Sequence, residues 1–170
     1  MKKFELTSEF ITNISGTKLF RIKALVEFGN IKAGELGGYI EKEENLDQDG
    51  NAWVFDNARV YGDAKVYGDA WVCGDAEVCG NAEVYGDAVV CGNAWVYGDA
   101  DYAYAHGFGS EYRTTTFFRL RNGDVGVRCG CFYGTLQEFR DKVRATHKET
   151  KKAKEYLMLA DLMELRFLKE

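Results

Sequence analysis

Across residues 51–98 the hydrophobic pattern has a period of six. Eight consecutive hexads read (Asn/Asp)-Ala-x-Val-(aromatic/Cys)-(Gly/Asp), with Val54, Val60, Val66, Val72, Val78, Val84, Val90 and Val96 in one slot. Ala52, Ala58, Ala64, Ala70, Ala76, Ala82, Ala88 and Ala94 stand two residues earlier. One hexad cannot bury its own apolar face, so this period predicts stacked coils. Residues 1–37 do not repeat. Segments 4–6, 18–22 and 24–28 read as short strands joined by polar turns such as Ser15-Gly16, a cap for the first coil. The repeat fails after Ala100: Tyr102 takes a valine slot, and His106-Gly107-Phe108-Gly109-Ser110 breaks the coil. Residues 114–121 then read as a strand, Asn122-Gly123 as a hairpin turn and 125–132 as the return strand. Thr135-Leu136-Gln137-Glu138 is a capping box opening a helix that ends near His147. A second helix is expected from about residue 149 to 167, with Ala153, Tyr156, Leu157, Ala160 and Met163 on its packed face.

Written from the valine, the unit Val-(Tyr/Cys)-Gly-(Asp/Asn)-Ala-x resembles the hexapeptide repeat of left-handed parallel β-helix proteins. The resemblance implies a triangular prism, one hexad per side and three hexads per coil. Valine then points inward, alanine fits near a corner, and Gly-(Asp/Asn) makes the corner. Sorting the outward positions by coil gives three faces. The first carries Trp53, Phe55, Trp71, Cys73, Val89 and Cys91 and is apolar throughout. The second carries Arg59, Tyr61, Glu77, Cys79, Trp95 and Tyr97; the third carries Lys65, Tyr67, Glu83, Tyr85, Asp101 and Ala103. The apolar face needs a cover, either another subunit or the chain's own C-terminal segment. Hexapeptide-repeat proteins are often trimers packed side by side, so the resemblance implies a homo-oligomer, with a trimer favoured.

The fold expected is mainly β. A β cap (1–37) precedes a short left-handed parallel β-helix (38–105), and a small C-terminal α+β module (106–170) of a β-hairpin plus two helices follows. The entry into the repeat, Asn30-Ile31-Lys32-Ala33-Gly34 through Gly37-Gly38-Tyr39-Ile40, resembles uncharacterised bacterial, phage and prophage hexapeptide-repeat proteins. So does the C-terminal combination of Thr-Thr-Phe, Val-Arg-Cys-Gly-Cys-Phe, Gly-Thr with Glu-Phe, and a helix-ending His.

A net charge of −5 argues against nucleic-acid or anionic-membrane binding by the whole chain. No apolar run is long enough to span a bilayer. Met1-Lys2-Lys3 followed by Phe4-Glu5-Leu6 lacks a signal-peptide core, and five cysteines are an odd number, so reduced thiols in the cytoplasm, the host's if phage-encoded, are expected.

Acyl transfer from acetyl-CoA is the best-known activity of this repeat and uses a histidine base. Only His106 and His147 are present, and neither lies in a loop ejected from within the coils, so the reading leans away from an enzyme and names no catalytic residue. Cys129-x-Cys131 with His147 supplies at most three metal ligands, and buried thiols under the helices are the simpler account; no metal or cofactor is expected. The basic run from Arg140 to Lys154 reads as a solvated helical face. The sharper candidate is an anion site in the C-terminal module: His106, Gly109, Ser110, Tyr112, Arg113, Thr115, Arg119, Arg121, Arg128 and His147. Glycine-opened backbone, hydroxyls and arginine forks are what a phosphate or carboxylate needs. Arg113, Thr115, Arg119 and Arg121 share strand parity. The function expected is a non-enzymatic binding protein of phage or prophage type, acting in counter-defence by sequestering a small nucleotide-like anion. The alternatives are direct inhibition of a host defence protein, through Tyr61, Trp95 or Tyr97, and an acyltransferase.

Overall fold

The computed structural model describes residues 1–168. The chain divides into two compact units, Met1–Asp99 and Ala100–Glu170.

In the first unit β1 (Phe4–Thr12) and β2 (Lys18–Ala24) form an antiparallel pair, and β2 pairs with β3 (Leu36–Ile40). Segment 24–28, expected as a strand, is instead a turn after Ala24, closed by Phe28 and Ile31, which exchange backbone hydrogen bonds. The hexads supply eight two-residue strands: β4 (Trp53–Val54), β5 (Arg59–Val60), β6 (Lys65–Val66), β7 (Trp71–Val72), β8 (Glu77–Val78), β9 (Glu83–Val84), β10 (Val89–Val90) and β11 (Trp95–Val96). They stack in parallel as three sheets: β3-β5-β8-β11, β4-β7-β10 and β6-β9. Each hexad strand therefore lies on the hexad strand eighteen residues away, as in Arg59 on Glu77 and Val60 on Val78, while β3 meets β5 at a separation of twenty, as in Tyr39 on Arg59. The coils are stitched by a repeating ladder: Arg59 N–H donates to Ala76 O at 2.9 Å and Glu77 N–H to Ala94 O at 2.9 Å.

All eight repeat valines and all eight repeat alanines are fully buried. Each valine contributes roughly 1.5–3 kcal/mol by leaving water. A larger residue in place of a fully buried alanine would have to displace its neighbours. Gly74 shows why the corner itself needs glycine. Its φ is +68°, and a Cβ there would sit 3.0 Å from the backbone nitrogen of Gly92 in the next coil. Asn45 closes the entry to the repeat: its buried Nδ2 donates to Gly62 O (3.1 Å) and Ala64 O (2.8 Å).

Trp53 is fully buried within the chain. The rings of Phe4 (6.3 Å between centroids) and Phe28 (5.3 Å) close on it edge-on. Phe55 packs on Trp71 at 5.1 Å, and Cys91 is buried. Phe55, Trp71, Cys73 and Val89 are half-buried. The expected interface face thus presents no exposed residue. Its first coil is covered by Phe4 and Phe28 of the expected N-terminal cap, whereas the sequence reading offered this face only another subunit or the C-terminal segment.

The second unit is an antiparallel meander of β12 (Tyr102–Ala105), β13 (Thr115–Arg119), β14 (Val125–Cys129) and β15 (Phe132–Thr135), followed by α1 (Leu136–His147) and α2 (Lys151–Phe167). The expected hairpin is present between β13 and β14, with Leu120 N–H donating to Asp124 O at 2.9 Å. Two strands were not anticipated. Tyr102 leaves the repeat to pair with Phe118. Gly130, at φ +58°, turns the chain so that residues 132–135 run back along β14. Thr135 caps α1 through the expected box with Glu138, and Thr150 caps α2. The helices pack on one sheet face through Phe117, Val127, Phe139, Tyr156, Ala160 and Met163. No helix among the described residues is long and apolar enough to cross a membrane.

Candidate functional site

Helix α1 carries Phe139, Lys142, Val143, Thr146 and His147 at helical spacing on one side. That side faces Ser110, Glu111, Arg113, Cys129, Cys131, Phe132 and Tyr156 across a pocket of about 190 Å³. The floor is aromatic: Phe139 contacts Phe132 at 5.5 Å and Tyr156 at 5.6 Å, and His147 lies 5.8 Å from Tyr156. Around it stand two basic side chains, Arg113 and Lys142, the imidazole of His147, the hydroxyls of Ser110 and Thr146, and the acidic side chain of Glu111. A pocket of this size suits a phosphate, a carboxylate or one anionic end of a larger molecule.

Tyr156 organises the wall. Its hydroxyl accepts from Ser110 N–H (3.0 Å) and donates to Ser110 O (3.1 Å). Burial, with Cys129 adding to it, pushes the phenol above its ordinary pKa, so it remains a donor. Gly109, at φ +71°, lies flat on the Tyr156 ring where any Cβ would collide. The Arg113 guanidinium lies over Gly130, where a side chain would displace it.

The ten expected ligand residues divide. Ser110, Arg113 and His147 line the pocket. The Gly109 and Ser110 N–H groups, expected to be open to a ligand, are already spent on Glu155 Oε2 (2.8 Å) and Tyr156. Thr115 and Arg119 do share a sheet face, but Thr115 is buried and donates to Cys129 Sγ at 3.2 Å. Arg119 is held by Asp101 at 2.9 Å and the Phe167 carbonyl at 3.3 Å. Arg121 stands in the hairpin turn, away from β13. Arg128 pairs with Thr116, whose parity is opposite to that of Thr115, so it points from the other face. His106 bonds Thr114 at 2.8 Å, and Tyr112 is exposed outside the pocket. The two cysteines expected together under the helices are split by the Gly130 turn: Cys131 is exposed and Cys129 half-buried.

Lys142, Thr146, Cys131, Phe132 and Phe139 were missed. The signal was the helical spacing of Phe139, Val143 and His147, which reads equally as ordinary core. Among the described residues no cluster of His, Cys, Asp and Glu is placed to hold a metal ion.

On the second solenoid face Tyr61 is half-buried and donates to Glu77, and burial raises its phenol pKa. Trp95 and Tyr97 are exposed.

The YdcK β-solenoid repeat model matches residues 58–74. A protein of Escherichia coli (strain K12) named "Uncharacterized acetyltransferase YdcK" is 38% identical over 63 residues, 33% of this chain and 19% of that protein. The chain therefore covers less than a fifth of that relative's length. Together, the six-residue period, the three stacked sheets and the matching repeat model identify the repeat region of this chain as a hexapeptide-repeat β-solenoid similar to that of YdcK.

Proposed function

We propose that this chain is a non-enzymatic binding protein. The solenoid supplies a rigid body, and the pocket between α1 and the β14–β15 turn holds a small anionic group. The observation that carries this reading is the convergence of Arg113, Lys142 and His147 with the Ser110 and Thr146 hydroxyls over an aromatic floor. A phosphate or carboxylate end would take charge-assisted hydrogen bonds from the two cations, each contributing about 1.5–3 kcal/mol. A base or other flat group beyond it would lie near Tyr112, which is exposed. The resemblance to phage and prophage proteins supports placing this binding in counter-defence, in the host cytoplasm, as sequestration of a nucleotide-like anion.

The second reading is acyl transfer, favoured by the printed name of the YdcK relative. The shared segment is short, and His147 lies on a helix in the second unit, outside the repeat coils where that family places its base.

The test is native mass spectrometry of gently purified protein, followed by denaturation and analysis of what is released. Binding predicts an anionic molecule recovered unchanged, and its loss in Arg113→Ala/Lys142→Ala. Turnover of acetyl-CoA that depends on His147 would replace this reading with the enzyme.

A further inference from the structure

The pocket of about 190 Å³ admits a phosphate or a carboxylate but not a whole nucleotide, since sites that enclose such a ligand run from about 300 Å³ upward. If the anionic end fills the pocket, the rest of the ligand lies outside, on the surface beside it. That surface is basic. Residues 140–154 hold seven of the chain's 22 lysines and arginines and two of its 27 aspartates and glutamates, within a chain of net charge −5. Arg140 is taken up by Asp161 and Glu164, Arg144 meets Asp141 at 3.6 Å, and Lys151 meets Glu155 at 4.0 Å. Lys142, Lys148, Lys152 and Lys154 are exposed and form no ion pair among the described residues. Lys142 lines the pocket and Lys148 follows the pocket residue His147. Lys152 stands one helical turn before Tyr156, another pocket residue.

Two of these lysines break a local rule. Lys148 ends α1 at φ +50° and ψ −129°, a backbone conformation that favours glycine. Helix α2 opens with Lys151 and Lys152 and has no acidic residue in its first turn, although the helix dipole favours carboxylates at that end. Neither departure helps the fold, and such departures gather where a sequence serves binding. What both add is a basic side chain at the turn between the helices, beside the pocket. Tyr112 adds a flat ring: it is 71% exposed and stands between the pocket residues Glu111 and Arg113. Basic side chains together with an exposed aromatic ring suit a chain of phosphates with flat bases between them. A bilayer surface offers phosphates in a plane and no single end to enter a pocket.

We propose that the ligand is a single-stranded oligonucleotide, with its terminal phosphate in the pocket and the following phosphates on Lys148, Lys152 and Lys154. This rests on the pocket holding the anionic end. Fluorescence anisotropy of the full chain compares short single strands, carrying a phosphate at either end, with a mononucleotide as competitor. The strand should bind roughly tenfold tighter or more, with a log–log salt slope about 0.7 steeper for each further phosphate bound. Lys148→Gly and Lys152→Glu should each raise the thermal midpoint, because they restore the local rule, and should weaken the strand several-fold more than the mononucleotide. A merely structural role for these lysines would not produce that split. Equal affinities and equal salt slopes for strand and mononucleotide would overturn the proposal and leave the pocket reading standing, whereas binding of neither would overturn both. Variants that bind the strand as the wild type does would also overturn it. So would tighter binding of anionic phospholipid vesicles or of polyglutamate than of any strand.

Discussion

The Tyr156 hydroxyl closes both backbone groups of Ser110, accepting its N–H at 3.0 Å and donating to its carbonyl at 3.1 Å. A residue of α2 thereby pins the loop that forms one wall of the pocket, though 46 residues separate the two in sequence. The same hydroxyl also lies 3.2 Å from Ser110 Oγ.

Tyr156→Phe removes that hydroxyl and leaves the ring on Gly109. Two part-buried backbone groups lose their partner, at a cost of about 1–3 kcal/mol. Ser110→Ala keeps both backbone bonds and should cost a few tenths to about 1 kcal/mol. Denaturant melts of the two variants, followed by tyrosine fluorescence, compare these directly. Equal stability losses would show that the backbone bonds are not what fixes the loop.

Trp53→Ala empties a site enclosed by Phe4, Phe28 and the stacked coils. A large-to-small change of this kind costs about 3–5 kcal/mol. Phe55→Ala, at a half-buried position, should cost clearly less. Urea unfolding of both variants checks the order, and the reverse order would mean that the cap does not seal the first coil.

Lys3 supplies a pH dependence. Its side chain is 3% exposed and its ammonium donates to the carbonyls of Asp49 (3.2 Å), Gly50 (3.4 Å) and Ala52 (3.1 Å). Burial, partly opposed by Asp47 and Asp49, lowers its pKa from 10.5 to about 8. Below pH 8 both folded and unfolded chains hold the proton, so Lys3 contributes no slope. Between about 8 and 10.5 the unfolded chain still holds the proton that the folded chain has released, so stability rises with pH. Relative to Lys3→Met, the wild type should gain up to about 3 kcal/mol across that window. A falling or flat difference in chemical denaturation would show that the carbonyls hold the ammonium charged.

Much of the first unit was legible in the sequence because one rule repeats. Val78 and Ala76 are buried for the same reason as Val60 and Ala58, so a single six-residue pattern yields strand, face and corner together. The cap on Trp53 was not legible. Phe4 and Phe28 are 24 residues apart, and neither has a spacing that points to Trp53. In the second unit the helix ends were readable from Thr135, Glu138 and His147, because capping is local chemistry. The site was only partly readable. Strand parity correctly set Thr115 and Arg119 on one face, but it carries no information on Asp101, which occupies Arg119. Lys142 was hidden in a basic run that otherwise reads as solvated surface.

The arginines provide the most direct test of the central claim. Arg113 lines the pocket, whereas Arg119 is tied to Asp101 and Arg128 points from the opposite sheet face. Calorimetric titration of the wild type, Arg113→Ala, Arg119→Ala and Arg128→Ala with the anion released from the purified protein separates them. The account predicts that Arg113→Ala weakens binding about tenfold or more, while the other two bind as the wild type does. Binding lost with Arg119 or Arg128 and retained without Arg113 would contradict it.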